Sequence, residues 1–201
     1  MKITIITAGL SEPSSTRLLA DRLEKATTRA LQERGTAVET ATVEVRTLAH
    51  NVVDLLLTRV ASPELALART NVQDADALIV VTPTFSMSYS GLFKSFIDVL
   101  EEGSLAGMPV LLAATGGTAR HSMVLDTSLR PLLSYLKALT LPTAVYASAE
   151  DWGSPGLDGR IERAGRELAE MVTALPSRHR SDPFDSGSSD FVSFESLLGE
   201  S

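Results

Sequence analysis

Three short stretches hold residue types that can bind an anion and a flat polar ring. The first is GLSEPSSTRLL, residues 9–19, with the hydroxyls of Ser11, Ser14, Ser15 and Thr16 and the cation of Arg17. A helical pattern starts directly after it. A helix start offers unpaired N–H groups and a positive dipole end, which favour an anion. Hydroxyls and an arginine add directed hydrogen bonds to a phosphate. The same residues can simply cap a helix, and this loop alone leaves both readings open. The second stretch is TPTFSMSYSGLFKSFIDVL, residues 82–100, with Pro83, Thr84, Phe85, Ser86 and Tyr89 near its start. Polar atoms beside apolar walls suit a planar heteroaromatic ligand. Alternatively, Phe85 or Met87 fills core beneath the loop. The third is ATGGTARHSMVLD, residues 114–126, with Thr115, Gly116, Gly117 and Thr118. Paired glycines let a backbone approach a flat ligand closely, and their N–H groups can bond its carbonyl edge. An unliganded turn is the competing reading. His121, three residues past Thr118, either contacts a ligand or serves structure.

Other chemistries are excluded or disfavoured. The 201-residue chain has no cysteine, which removes disulfides, thiolate catalysis and cysteine-held metals. His50, His121 and His179 are too scattered for a metal motif, so no metal site is expected. The pairs Glu101-Glu102 and Glu150-Asp151 read as solvated surface. The first stretch lacks GxxxxGK[ST] and GxGxxG, which argues against a nucleoside triphosphatase and against a dinucleotide held at that turn. A net charge of −7 argues against nucleic acid or an anionic membrane as partner, so an anionic ligand needs a locally built site. The start, MKITIITAGL, lacks a signal-peptide h-region, and no apolar run approaches the ~20 residues of a membrane span. A cytoplasmic protein is expected.

The elements that position these loops follow from hydrophobic pattern. Continuous apolar runs predict buried strands at Ile3–Ala8, Asp76–Thr82 (stopped by Pro83), Pro109–Thr115 and Leu141–Ala147; Thr36–Val45 alternates and adds another. Helical spacing covers Leu18–Leu31, 48–73 in two pieces split at Ser62-Pro63, Gly91–Glu101, 122–138 with a break at Pro131, and Asp158–Leu175. Strands alternating with helices predict an α/β fold with a parallel sheet covered on both faces and right-handed crossovers. Five strands suit the flavodoxin-like three-layer α/β/α sandwich of order 2-1-3-4-5. Ligands of such sheets sit beyond the carboxyl ends of the strands, where all three stretches fall. Residues 1–175 form the predicted domain. Residues 176–201 are a Ser-, Asp- and Gly-rich tail, read as mobile or as docking on a partner subunit through its FVSFESLL segment.

TPTFSMSYSGLFKSFIDVL and ATGGTARHSMVLDTSLRPLLSYLKAL together resemble the NADPH-dependent FMN reductases of the flavodoxin-like superfamily. The likeness is strongest to reductases that serve luciferase-like flavin monooxygenases such as alkanesulfonate monooxygenase. The resemblance implies FMN and NADPH or NADH as cofactors. It implies a phosphate site at Ser11, Ser14, Ser15, Thr16 and Arg17. It places Pro83, Thr84, Phe85 and Ser86 beside the isoalloxazine, and Thr115, Gly116, Gly117 and Thr118 at its pyrimidine edge. Hydride transfer then needs no catalytic side chain, because the flavin carries the chemistry. Arg17, Arg120 and Arg130 are candidate partners for a nicotinamide 2′-phosphate. Leu10 and Glu12 depart from the family's usual first loop. A homodimer or homotetramer is implied, with reduced FMN passed to a monooxygenase. A reductase of quinones, azo compounds or metal ions with tightly held FMN, or a flavodoxin-type electron carrier, are the alternatives.

Overall fold

The computed structural model describes residues 1–176. The predicted tail lies outside the described residues, Pro176 excepted. Seven strands and six α-helices follow one another along the described chain: β1 Lys2–Thr7, α1 Ser15–Gln32, β2 Glu39–Glu44, α2 Ala49–Thr58, α3 Pro63–Gln73, β3 Ala77–Phe85, β4 Ser88–Tyr89, α4 Gly91–Asp98, β5 Pro109–Gly116, α5 Arg130–Tyr135, β6 Leu139–Thr140, β7 Val145–Ser148 and α6 Pro155–Ala174. The sheet runs β2-β1-β3-β5-β6, and β7 pairs with β5 beyond β6. These pairings are parallel. The flavodoxin-like order holds, with one position filled by two short strands.

Successive residues of a strand face opposite layers, and each face of this sheet is apolar. Leu78, Val80, Val110 and Leu112 pack with Val52, Leu65, Phe93, Phe96 and Leu133 of α2–α5. Ile79, Val81, Leu111 and Ala113 pack with Leu19, Leu23, Ile161 and Leu168 of α1 and α6. Helix starts follow local chemistry: Ser14, Ser62, Ser90 and Ser154 each accept a backbone N–H of the first turn of α1, α3, α4 and α6.

Three expectations need correction. Pro83 does not stop its strand. Val81 lends its carbonyl to Ala8 N–H on the β1 side. Two residues on, the same side has no β1 residue left to accept an N–H, so proline's missing donor costs nothing there. β3 continues to Phe85 and folds back as a hairpin, with Thr84 opposite Tyr89 and Phe85 opposite Ser88. Its two-residue turn, Ser86-Met87, has positive φ at both positions (47° and 64°), the geometry whose twist suits a tight hairpin. The fifth strand is not continuous over Leu141–Ala147: β6 ends at Thr140 and β7 starts at Val145, with Pro142 between. The helix expected over 122–138 is a five-residue π segment, Leu125–Leu129, joined to α5, where Pro131 stands in the first turn.

Candidate functional site

The three stretches meet at the carboxyl end of the sheet, and hydrogen bonds tie them together. Thr16 Oγ1 and Thr115 Oγ1 lie 2.8 Å apart, joining the first turn of α1 to the end of β5. Both threonines are buried. Pro83 pairs with Thr115 in the β3–β5 register, which sets the hairpin beside the Gly116-Gly117 loop. Tyr146 Oη of β7 donates to Thr118 O at 3.0 Å from the other side.

The predicted first-loop residues divide by role. Ser14 Oγ accepts Arg17 N–H at 3.2 Å and caps α1. The Thr16 hydroxyl also bonds Thr115. Arg17 Nε donates to Asp21 at 2.6 Å, and its other end lies 3.5 Å from Glu44. That hydrogen bond and the nearby carboxylates raise the Arg17 pKa against its partial burial. Ser11 and Ser15 are exposed. No acidic residue stands in the first turn of α1, so its positive end is not neutralised there. Glu12 is paired with Arg46 at 2.8 Å. Arg46 follows β2 and belongs to none of the three stretches. It sets a cation beside the first loop and offsets the acid that departs from the family's usual first loop.

After β3, Phe85 and Met87 are 46% and 61% exposed, so neither fills core. Ser86 forms the turn. Thr82 Oγ1 accepts Ser90 N–H at 3.1 Å and fastens the return of the hairpin. Two buried hydroxyl oxygens at this end of the sheet, Thr7 Oγ1 and Thr84 Oγ1, meet no partner at hydrogen-bonding geometry. The Tyr146 phenol stands beside Thr84.

The two glycines differ in what they allow. A Cβ on Gly116 would stand 2.1 Å from Tyr146 Oη. A Cβ on Gly117 would meet nothing within 4 Å, and its φ is outside the left-handed region. No contact within the described protein therefore requires glycine at 117. Among the described residues, the N–H groups of Gly117 and Thr118 donate to no protein acceptor. Thr118 Oγ1 accepts Arg120 N–H at 3.3 Å and starts a short helical turn over Ala119–His121. His121 is half-buried on that turn, its N–H directed to Thr118 O at 3.3 Å. Of the three candidate arginines, Arg17 is engaged as above. Arg130 bonds Asp126, Thr140 Oγ1 and the Leu141 and Pro142 carbonyls. Arg120 is exposed and forms no ion pair among the described residues.

Sequence reasoning missed Tyr146 and Arg46. A tyrosine in an apolar strand reads as core. Its one signal was the need of a buried phenol for a partner.

The profile of the NADPH-dependent FMN reductase family matches residues 1–153. The chain belongs to this family. It is 35% identical over 177 residues to an FMN reductase (NADPH) of Pseudomonas aeruginosa, covering 85% of this chain and 91% of that one. It is 36% identical over 173 residues to the NADH-dependent FMN reductase SfnF of Pseudomonas putida, covering 86% and 89%. The solved structure of an oxidoreductase from Corynebacterium diphtheriae superposes with a TM-score of 0.84 at 44% identity, covering 87% of this chain and 98% of that one. Within the FMN reductase family, the donors found here fit the group that the family binds. They comprise a helix start with free hydroxyls for a phosphate, exposed Phe85 and Met87 for a ring, and two free N–H groups for a carbonyl edge.

Proposed function

We propose that this reductase oxidises NADPH or NADH and reduces FMN, holding the flavin across the three loops. The observation that carries the reading is the pair of unbonded N–H groups at Gly117 and Thr118, at the end of a loop that Thr16 and Tyr146 hold from two sides. FMN, when bound, supplies the acceptor for the nicotinamide's hydride. The chain's part is binding and electrostatics. Ser11, Ser15 and the first N–H groups of α1 hold the phosphate, with Arg46 as a nearby cation. Phe85 and Met87 wall the ring and exclude water. The Gly117 and Thr118 N–H groups bond the pyrimidine carbonyl edge and stabilise the negative charge that reduction places there. The Arg120 guanidinium, which forms no ion pair among the described residues, faces the phosphates of the nicotinamide nucleotide. Few buried charges grip the phosphate, which suits a flavin that leaves after reduction to serve a luciferase-like monooxygenase.

Steady-state kinetics test this. Nicotinamide oxidation under air should rise hyperbolically with added FMN from near zero, and Arg120→Ala should raise KM for NADPH without changing the FMN dependence. Full turnover of a quinone with no added flavin would contradict the reading and favour a tightly held prosthetic group. An unchanged KM in the Arg120 variant would remove that arginine from the nucleotide site.

A further inference from the structure

We propose that Tyr146 is a positioning residue for the flavin-facing loop: its phenol holds the Thr118 carbonyl and thereby sets where the Gly117 and Thr118 N–H groups point. The proposal rests on the placement of the flavin edge at Gly116–Thr118.

Tyr146 lies on β7 opposite Ala114 of β5, and only 8% of it is exposed. From there its hydroxyl reaches past Gly116 to donate to Thr118 O at 3.0 Å. The same carbonyl accepts His121 N–H at 3.3 Å, so it is the first acceptor of the turn carrying Arg120 and His121. One oxygen therefore governs both the loop that meets the ring and the turn that follows it. The close passage explains Gly116. Its backbone does not require glycine, but a Cβ there would stand 2.1 Å from Tyr146 Oη and 3.1 Å from Cζ. The same point is 3.5 Å from Thr84 Cβ, so the phenol sits between the ends of β3 and β5. Tyr146 and Gly116 act as one unit: a hydroxyl and the missing side chain that lets it through.

The phenol keeps its proton for this work. Burial raises its pKa above the ordinary tyrosine value; the nearby Thr84 hydroxyl lowers it in part, and the negative charge of Asp151 adds a smaller rise. A neutral donor to a carbonyl is the state this environment favours. A core tyrosine could satisfy its hydroxyl with any nearby acceptor, and loss of that hydroxyl would then appear in stability alone.

The test is a double-mutant cycle in the full-length protein with Tyr146→Phe, Gly116→Ala and the pair, measured by FMN fluorescence titration, steady-state kinetics and thermal melting. Tyr146→Phe keeps the ring and should fold. Losing one neutral hydrogen bond that orients the loop should weaken FMN binding and raise KM for FMN by about fivefold. Because the same N–H groups stabilise the charge that reduction forms, kcat at saturating FMN should fall severalfold as well. Gly116→Ala should weaken binding more strongly in the wild-type background than in the Tyr146→Phe background, where the colliding oxygen is gone. Unchanged FMN affinity in a folded Tyr146→Phe protein would overturn the proposal, as would an equal cost of Gly116→Ala in both backgrounds. Gly117→Val separates the two levels. If it weakens FMN binding while Tyr146→Phe does not, the loop site stands and the role of Tyr146 falls. If Gly117→Val is silent, the placement of the flavin edge falls first.

Discussion

Asp151, just past the end of β7, shows how much one carboxylate can be committed to structure. Its oxygens accept the Ser148 hydroxyl at 2.6 Å, the Ser148 N–H at 2.8 Å and Arg160 Nη2 at 2.7 Å. The Ser148 hydroxyl, the Arg160 bond and the Ser148 N–H, in that order, lower its pKa to about 2. Its sequence neighbour Glu150 is exposed as the pattern of the pair suggests, but Asp151 is a half-buried clasp and not free surface. The unfolded carboxyl titrates near pH 3.9, so its folded pKa is depressed. Ionised Asp151 therefore stabilises the fold above about pH 4, and that contribution fades as pH falls toward 2. Asp151→Asn should melt about 2–4 °C lower at pH 7, a size that allows for solvent screening of a partly exposed charge. The gap to wild type should close between pH 4 and 2. Melting curves at pH 7 and pH 2.5 check this, and an equal gap at both would refute it. Arg160 also approaches Tyr146 O at 3.4 Å, so the clasp sits against the strand that carries the loop-holding phenol.

Between elements, the contact of α1 with α6 is the tightest that a glycine allows. A Cβ on Gly165 would come within 2.9 Å of Ala26 C, Ala26 Cβ and Thr27 N. Alanine in place of a helical glycine normally gains about 0.5–1 kcal/mol. Overpacking against a backbone that cannot swing aside costs about 1–3 kcal/mol. The second effect is larger, so Gly165→Ala should lower the melting temperature by several degrees while leaving FMN affinity unchanged; a more stable variant would show that the helices separate freely. The alternation of apolar runs with helical spacing made the layers and strand order legible, because a strand buried on both faces carries a pattern that loops do not. Ser62-Pro63 marked a helix start for the same local reason. What stayed illegible depends on distant partners. Pro83 is tolerated inside β3 because β1 has ended beside it. The break between β6 and β7 has a local correlate in Pro142, but the paired hairpin Thr84–Tyr89 turns on Ser86-Met87, two residues without the usual Asn-Gly signal. In the site, residue type and spacing offer Thr16 and Ser14 as ligand hydroxyls, and the fold adds that one bonds Thr115 and the other caps α1.

For the molecule as a whole, a net charge of −7 must coexist with two anionic substrates of the FMN reductase reaction. The fold meets this locally. It gathers an uncompensated helix start and Arg120 at the carboxyl end of the sheet, with Arg46 cancelling Glu12, where crossovers of one hand bring the loops after β1, β3 and β5 together. Nothing in the described protein lies within 4 Å of a Cβ placed on Gly117, and its φ lies outside the left-handed region. We assign that position to the flavin's pyrimidine edge. Titration of the wild type and of Gly117→Val with FMN, followed by flavin fluorescence, tests it most directly. A β-branched side chain there should keep the melting temperature and weaken FMN binding by about tenfold or more, corresponding to about 1.4 kcal/mol. Wild-type affinity in a folded Gly117→Val protein would contradict the assignment.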